Sequence, residues 1–353
     1  MTVLKLGSLF DGIGVFPLAA MHCGMEPVWA SEIEARPISI TKRHFPDMLH
    51  LGDITKISGA EIPPVDVITF GSPCQDLSQI GTRNGFAGKK SSLFYQAMRI
   101  IEEMRYATNG RYPAFTVWEN VAGAFSSNDR LDFAAMLRAF TGAEVSVPPR
   151  GWAHAGMVRG GCADTAWRLL DAQYWGEPAL AQRRKRVFVV ADFAGQRAGE
   201  VLFKPRTVLP FSTISGPGGL SATQRGGVPA AQTGRQVPIV RPFSLRRMRT
   251  MAQVGDQKGF CASFGRGGEP FPTLLASVTA PFSFWYEGEE RDGFLRVLTP
   301  LECERLMGLP ENWTKYGCKN EEISDHARYR ALGNSIALPC AEYVMAGIAE
   351  VMN

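Results

Sequence analysis

The sequence predicts an α/β fold, a sheet of largely parallel strands flanked by helices, joined to a smaller, irregular, β-rich second domain. Three observations predict it. Short apolar strand patterns alternate with helical patterns up to about residue 193. A glycine turn, Asp11-Gly12-Ile13-Gly14, joins the first strand to the first helix. Beyond Phe193 the alternation gives way to Gly, Pro, Ser and Thr, densest at Ser215-Gly216-Pro217-Gly218-Gly219 and Arg225-Gly226-Gly227. At 353 residues two domains are expected: 1–193 completed by the C-terminal 322–353, and 194–321 with its hinge segments.

Composition excludes several classes. With 45% hydrophobic and 20% charged residues the chain is ordinary globular, and no apolar run reaches the length of a membrane span. The N-terminus reads as lacking a signal peptide. Seven cysteines without a C-x-x-C pair fit neither a disulfide framework nor a zinc site, so no metal and a reducing cytoplasm are expected. The net charge of +4 is unevenly spread: residues 196–300 hold 13 Lys/Arg against 7 Asp/Glu, a balance of +6, which leaves −2 for the rest.

Residues 3–10 form a strand pattern, and 15–21 a helical one after the glycine turn. Such a turn lets a ligand approach the backbone and the helix N-terminus. Pro17 stands where a dinucleotide fingerprint requires its third glycine, which disfavours NAD. The strand at 27–31 ends in Glu32, placed to accept from ribose hydroxyls. Asp53, after a short segment, caps a turn or meets an adenine amino group, the cap being the simpler reading.

Residues 65–72 read as a buried strand running into Ser72-Pro73-Cys74-Gln75, a turn that presents one thiol. A lone cysteine is more often a small buried hydrophobe than a nucleophile. Next comes a polar loop, 75–92, punctuated by Gly81, Gly85 and Gly88 and carrying Arg83, Lys89 and Lys90; it reads as a lid or as an ordinary solvated loop. A helix is expected over 92–104. The strand at 114–118 ends in Glu119-Asn120-Val121, and another helix is expected over 129–140. In Gln182-Arg183-Arg184-Lys185-Arg186, Arg184 and Arg186 share one strand face by the two-residue period and can both aim at one anionic or carbonyl group. Arginines interspersed with aromatics over 194–300 suit a DNA groove, though irregular basic loops are common elsewhere. Helices are expected over 298–309, with a Thr299/Glu302 capping box, and over 337–351.

Taken in order, these stretches resemble the C5-cytosine DNA methyltransferase family across nearly the whole chain. The resemblance rests on Phe10-Asp11-Gly12-Ile13-Gly14, Pro73-Cys74-Gln75, Glu119-Asn120-Val121, Gln182-x-Arg184-x-Arg186, the run from Arg296 to Pro310, and Gly333-Asn334-Ser335. It implies a Rossmann-like, S-adenosylmethionine-dependent methyltransferase-type mixed sheet with a target-recognition domain. The implied cofactor is S-adenosylmethionine, contacted by Phe10, Asp11, Gly12, Gly14, Glu32, Ile33, Asp53, Ile54, Leu93, Asn334 and Ser335. The implied catalytic set is Cys74 as nucleophile, Glu119 at cytosine N3, Arg186 at O2, Arg184 holding Glu119 or a phosphate, and Asn120 fixing the Cys74 loop. Double-stranded DNA is the implied partner, through Ser78, Arg83, Lys89, Arg225, Arg235, Arg266 and Thr273. The chain is expected to be a monomer, with a cognate restriction endonuclease left open.

This chemistry needs these residue types. Cytosine C5 is a poor nucleophile until a thiolate adds to C6, and an acid at N3 absorbs the charge that develops in the ring. Two other readings share most of the motifs: a tRNA cytosine-5 methyltransferase, which would need little recognition domain, and a DNA-binding member of the fold without turnover. An amino-group methyltransferase is disfavoured, because Ser72-Pro73-Cys74-Gln75 stands where those enzymes carry an Asp/Asn-Pro-Pro-aromatic turn.

Overall fold

A computed structural model of the chain describes residues 3–72, 93–204, 239–242, 270–271, 273–274, 282–286 and 294–353. In chain order its elements are β1 (Lys5–Leu9), α1 (Val15–His22), β2 (Glu26–Ser31), α2 (Ala35–His44), β3 (Leu49–His50), β4 (Val67–Phe70), α3 (Leu93–Ala107), β5 (Phe115–Val121), α4 (Leu131–Thr141), β6 (Ala155–Arg159), β7 (Asp164–Asp171), β8 (Lys185–Asp192) and α5 (Ala198–Leu202). There follow β9 (Ile239–Pro242), β10 (Phe282–Tyr286), β11 (Phe294–Val297), α6 (Pro300–Met307), α7 (Asp325–Asn334) and α8 (Leu338–Met352).

Eight strands form one mixed sheet in the order β3-β2-β1-β4-β5-β8-β7-β6. The first five are parallel, whereas β8 runs antiparallel to β5. This is the Rossmann-like mixed sheet that the family resemblance implied, its parallel part being what the alternation of elements predicted. Register carries the consequence for function. Leu9 pairs with Ser31 and with Phe70, and Phe70 pairs with Trp118. These four residues therefore form one row across the sheet, and the residues that follow them, Phe10, Glu32, Gly71 and Glu119, leave it along the same edge.

Burial follows from the pattern. All four residues of β4 are buried, as a central parallel strand covered on both faces requires. Helix α3 buries Phe94, Ala97, Met98, Ile101 and Met104 at helical spacing. They pack with Leu9, Trp29, Ile68, Phe70 and Trp118 of the sheet and with Phe133, Met136, Leu137 and Phe140 of α4. Trp29 lies so close over β1 that a Cβ at Gly7 would stand 2.2 Å from its ring.

Two compact units make up the chain: residues 1–170 with 185–204 and 341–353, and residues 171–184 with 205–340. This division differs from that read from sequence. Segment 171–184 goes with the second unit because Arg183 N donates to the Phe271 carbonyl at 2.7 Å and Gln182 Nε2 to the Leu306 carbonyl at 2.9 Å. Within that unit β11, β10 and β9 form a three-stranded antiparallel sheet. The capping box of α6 is in place, with Thr299 N 2.8 Å from Glu302 Oε2 and Glu302 N 3.3 Å from Thr299 Oγ1. Some elements depart from expectation. Helix α4 begins at Leu131 rather than 129, because Asn128, Asp129 and Arg130 adopt left-handed φ of 47°, 52° and 73°. Helices α2, α5 and α7 and strands β6 and β7 were not expected.

Gly7→Ala is expected to cost about 1–3 kcal/mol by overpacking against Trp29, read as a lower thermal midpoint than that of the parent.

Candidate active site at the sheet edge

The turn after β1 is left-handed at three positions, Phe10 (φ 54°), Gly12 (φ 58°) and Gly14 (φ 78°), where only glycine is free of strain. Backbone bonds hold it: Asp11 N donates to the Ser31 carbonyl at 3.1 Å, and Gly14 N to the Asp11 carbonyl at 3.1 Å. Glu32 completes it. One carboxylate oxygen accepts from Gly12 N at 2.9 Å, and the other from Ile33 N at 2.8 Å and Glu34 N at 3.0 Å. Ile33 beside it is 73% exposed, an unusual place for a large aliphatic side chain.

Asp11 differs from Glu32. Both of its carboxylate oxygens are buried and, among the described residues, without a hydrogen-bond partner. Burial pushes its pKa from 3.8 up to about 7; the Ser8 hydroxyl pulls the other way and the charge of Glu32 adds to the rise. Asp53 caps a single 3₁₀ turn, accepting from Thr55 N at 2.9 Å and Thr55 Oγ1 at 2.8 Å, and these bonds hold its carboxyl below the usual range. The turn-capping reading is thus the one observed. Ile54 is buried in the core cluster, and Leu93 packs against that cluster.

A second group of side chains stands further along the same edge. Glu119 and Arg186 are diagonal cross-strand neighbours, since Val121 pairs with Arg186 and Glu119 with Phe188. Arg186 Nε lies 2.9 Å from Glu119 Oε1, and both side chains are largely buried, 14% and 12% exposed. The other Glu119 oxygen faces the backbone of Gly71, where a Cβ would come within 3.1 Å of it. Ser72 follows, and two β5 side chains fasten it: Asn120 Nδ2 donates to its carbonyl at 2.9 Å and Trp118 Nε1 to its hydroxyl at 3.0 Å. Gly71 and Ser72 were missed from sequence as site residues. Their signal was the abrupt Phe70-Gly71-Ser72-Pro73 break after a fully apolar strand.

Cys74, Ser78, Arg83, Lys89, Arg225, Arg235 and Arg266 lie outside the described residues, as does the whole of the expected lid, 75–92.

Arg184 and Arg186 do not share a target, contrary to the two-residue reading. Arg184 precedes β8 instead of lying within it. Its guanidinium, in a residue only 1% exposed, donates to the carbonyls of Leu274 at 2.9 Å, Gly333 at 2.9 Å and Ser335. Burial is the physical reason, because a guanidinium removed from water requires acceptors and three carbonyls supply them. Gln182 Oε1 likewise accepts from Leu274 N at 3.1 Å, and Thr273 Oγ1 donates to the Arg183 carbonyl at 2.7 Å. The second unit thus gathers the Gln182-x-Arg184, Thr273-Leu274 and Gly333-Asn334-Ser335 elements around one buried arginine. Asn334, at the end of α7, is exposed.

The model of a family described as C-5 cytosine-specific DNA methylase matches residues 4–205 and 246–350. A protein named DNA N-6-adenine-methyltransferase, of Escherichia phage P1, is 25% identical over 463 residues, covering 98% of this chain. The chain spans 61% of the length of that relative. Type II methyltransferase M1.ScrFI of Lactococcus lactis subsp. cremoris is 27% identical over 357 residues, covering 99% of this chain and 78% of its own. Among solved structures, the S. pombe Dnmt2 methyltransferase superposes with a TM-score of 0.61 at 16% identity, covering 99% of both chains, a likeness of fold.

A raised folded-state pKa means that the native protein binds Asp11's proton more tightly than the unfolded chain does, so stability falls as pH rises from 3.8 to about 7. Asp11→Asn removes that cost, which is of order 4 kcal/mol once both states are ionised. The variant is expected to melt above the parent at pH 8 and by a smaller margin at pH 5; an equal margin at the two would refute the buried-acid account.

Proposed function

The chain belongs to the C-5 cytosine-specific DNA methylase family, and from that premise we propose that it methylates C5 of a cytosine turned out of duplex DNA, using S-adenosylmethionine. The observation that carries this reading is the Glu119–Arg186 pair beside the Gly71-Ser72 backbone, two residues before Cys74 in the chain.

The residues of the first turn suit the cofactor. Glu32, held by three amides, presents its one remaining lone pair to a ribose hydroxyl; exposed Ile33 offers an apolar face to adenine; and left-handed Gly12, with no atom within 4 Å of where a Cβ would stand, leaves the backbone open beside them. Phe10, Gly14, Asp53, Ile54 and Leu93 are assigned to the same cofactor through the family pattern, as are Asn334 and Ser335 for its methionine end. When bound, S-adenosylmethionine supplies an electrophilic methyl group.

Cys74 is assigned the attack on cytosine C6, which makes C5 electron-rich enough to be methylated. Glu119 then protonates or hydrogen-bonds N3, and Arg186, already fixed on Glu119, donates to O2, so that the two together stabilise charge entering the ring. Asn120 acts through Ser72, holding by its carbonyl the backbone that leads into Cys74. Loss of the C5 proton and breakage of the C6–S bond restore the aromatic ring and the free thiol. Flipping costs a few kcal/mol, to be offset by contacts of the recognition region, for which Thr273 and the arginines of 205–269 are the proposed sources.

The direct experiment incubates purified protein with unmethylated duplex DNA and S-adenosylmethionine and maps modified bases at single-base resolution. The expected product is 5-methylcytosine within a recurring motif. N6-methyladenine instead would overturn the reading in favour of the activity named for the phage relative, and methylation of tRNA alone would overturn the DNA substrate. Cys74→Ala is expected to abolish transfer while retaining cofactor and DNA binding. In single-turnover assays Glu119→Gln should slow transfer by about 10²-fold or more with binding nearly unchanged.

A further inference from the structure

The glycine turn carries two acids, and only one of them is satisfied. Glu32 accepts three backbone N–H groups, whereas neither oxygen of Asp11 has a hydrogen-bond partner among the described residues, although both are buried. Polar neighbours do not compensate. The hydroxyl of Ser8 on β1 lies close enough to favour the Asp11 anion but is out of hydrogen-bond geometry with it, that of Thr69, its register partner on β4, is buried too, and the first turn of α1 contains no acid. The backbone of Asp11 is fixed on both sides by its bonds to Ser31 and Gly14. Its carboxyl is thus held, unpaired, within the turn assigned to the cofactor. Burying an unpaired anion is costly, so such a group is kept for what it meets or remains protonated until it does.

We propose that Asp11 is the proton-linked counter-charge for the cationic methionine end of the cofactor: it stays protonated in the free protein and gives up its proton as the cation binds. This rests on the reading of the turn as the S-adenosylmethionine site. The proton balance is explicit: the neutral carboxyl loses one proton to solvent, and its anion faces the ligand's positive charge. Burial is what chiefly holds the proton on Asp11 in the absence of ligand, and the negative charge of Glu32, the charged group acting on it, adds to that effect. A cation reverses that field. The position of the titration, near neutral pH, makes the effect measurable under ordinary conditions. Asp11 thereby contributes specificity for a charged cofactor over a neutral nucleoside, a role distinct from the ribose contact assigned to Glu32.

The test is isothermal titration calorimetry of the full chain at pH 6, 7 and 8, in buffers of differing ionisation enthalpy, with S-adenosylmethionine and with adenosine. For the unsubstituted protein, S-adenosylmethionine should bind up to about tenfold more tightly at pH 8 than at pH 6 and release up to about half a proton at pH 7. Adenosine should show neither effect. Asp11→Asn, of nearly the same shape, should lose both the pH dependence and the released proton; Asp11→Ala is the second variant, and a thermal melt of each verifies folding. The ligand's own amino group titrates in both protein forms and cancels in the comparison. Tight binding of S-adenosylmethionine with no released proton, or with the same release in Asp11→Asn, would overturn the inference and leave the cofactor reading standing. Absence of S-adenosylmethionine binding at every pH would overturn the cofactor reading, and the inference with it.

Discussion

The register of β5, set between parallel β4 and antiparallel β8, is the constraint on which the candidate catalytic site depends. Its parallel pairing with β4 brings Trp118 level with Phe70, so that Glu119 and Asn120 emerge beside Gly71 and Ser72. Its antiparallel pairing with β8 brings Arg186 opposite Val121, one diagonal step from Glu119. A slip of one residue would send Glu119 to the other face of the sheet and leave its charge without Arg186. Trp118 and Asn120 reinforce the register, since both bond to Ser72, one through its hydroxyl and one through its carbonyl.

Satisfaction of buried polar groups organises the second unit in a comparable way. The side chains of Arg184 and Gln182 tie three sequence-distant stretches together through bonds that run almost all to backbone, while Asp171 Oδ1 accepts from Arg184 N at 3.0 Å. Backbone acceptors are held in place by their own chain, so they fix a buried guanidinium without adding another charge to desolvate. Nearby, Glu304 and Arg328 form a pair 3.0 Å apart, 0% and 7% exposed, which Thr314 completes by donating its amide to Glu304 and accepting from Arg328 Nε. A charge pair buried to this degree requires such additional bonds to be tolerated.

Strands β1, β2, β4, β5 and β8 were legible because they are short, apolar and punctuated, whereas β6 and β7 were not, β6 being half exposed along its length; the glycine turn was legible because left-handed backbone leaves glycines in the sequence. The capping box of α6 was legible for the same reason: its geometry demands Thr299 and Glu302 at fixed spacing. Helix α7 was not legible, because Asp325-His326-Ala327-Arg328-Tyr329-Arg330 is polar on most sides and its buried residues, Arg328, Leu332 and Gly333, do not make an apolar stripe. The pairing of Glu119 with Arg186 followed from neither spacing nor composition. It depends on which strand lies beside β5, a matter of topology that the 66 intervening residues do not record. Arg184 was misread for a related reason: a two-residue period orients side chains only inside a strand, and β8 begins one residue later.

The two acids of the first turn illustrate how backbone geometry distributes charge. The left-handed conformation of Gly12 turns its amide toward Glu32, and the chain after β2 adds the amides of Ile33 and Glu34, so Glu32 is positioned by groups that cannot move away. The same turn uses the amide of Asp11 on the Ser31 carbonyl and the amide of Gly14 on the Asp11 carbonyl, leaving, among the described residues, no donor in hydrogen-bond geometry with Asp11's side chain. Two carboxyls of one turn thus differ in their partners because one was given the available donors. With the anion of Glu32 fixed nearby and burial acting on Asp11, protonating Asp11 is the less costly way to close the turn in the absence of a cation.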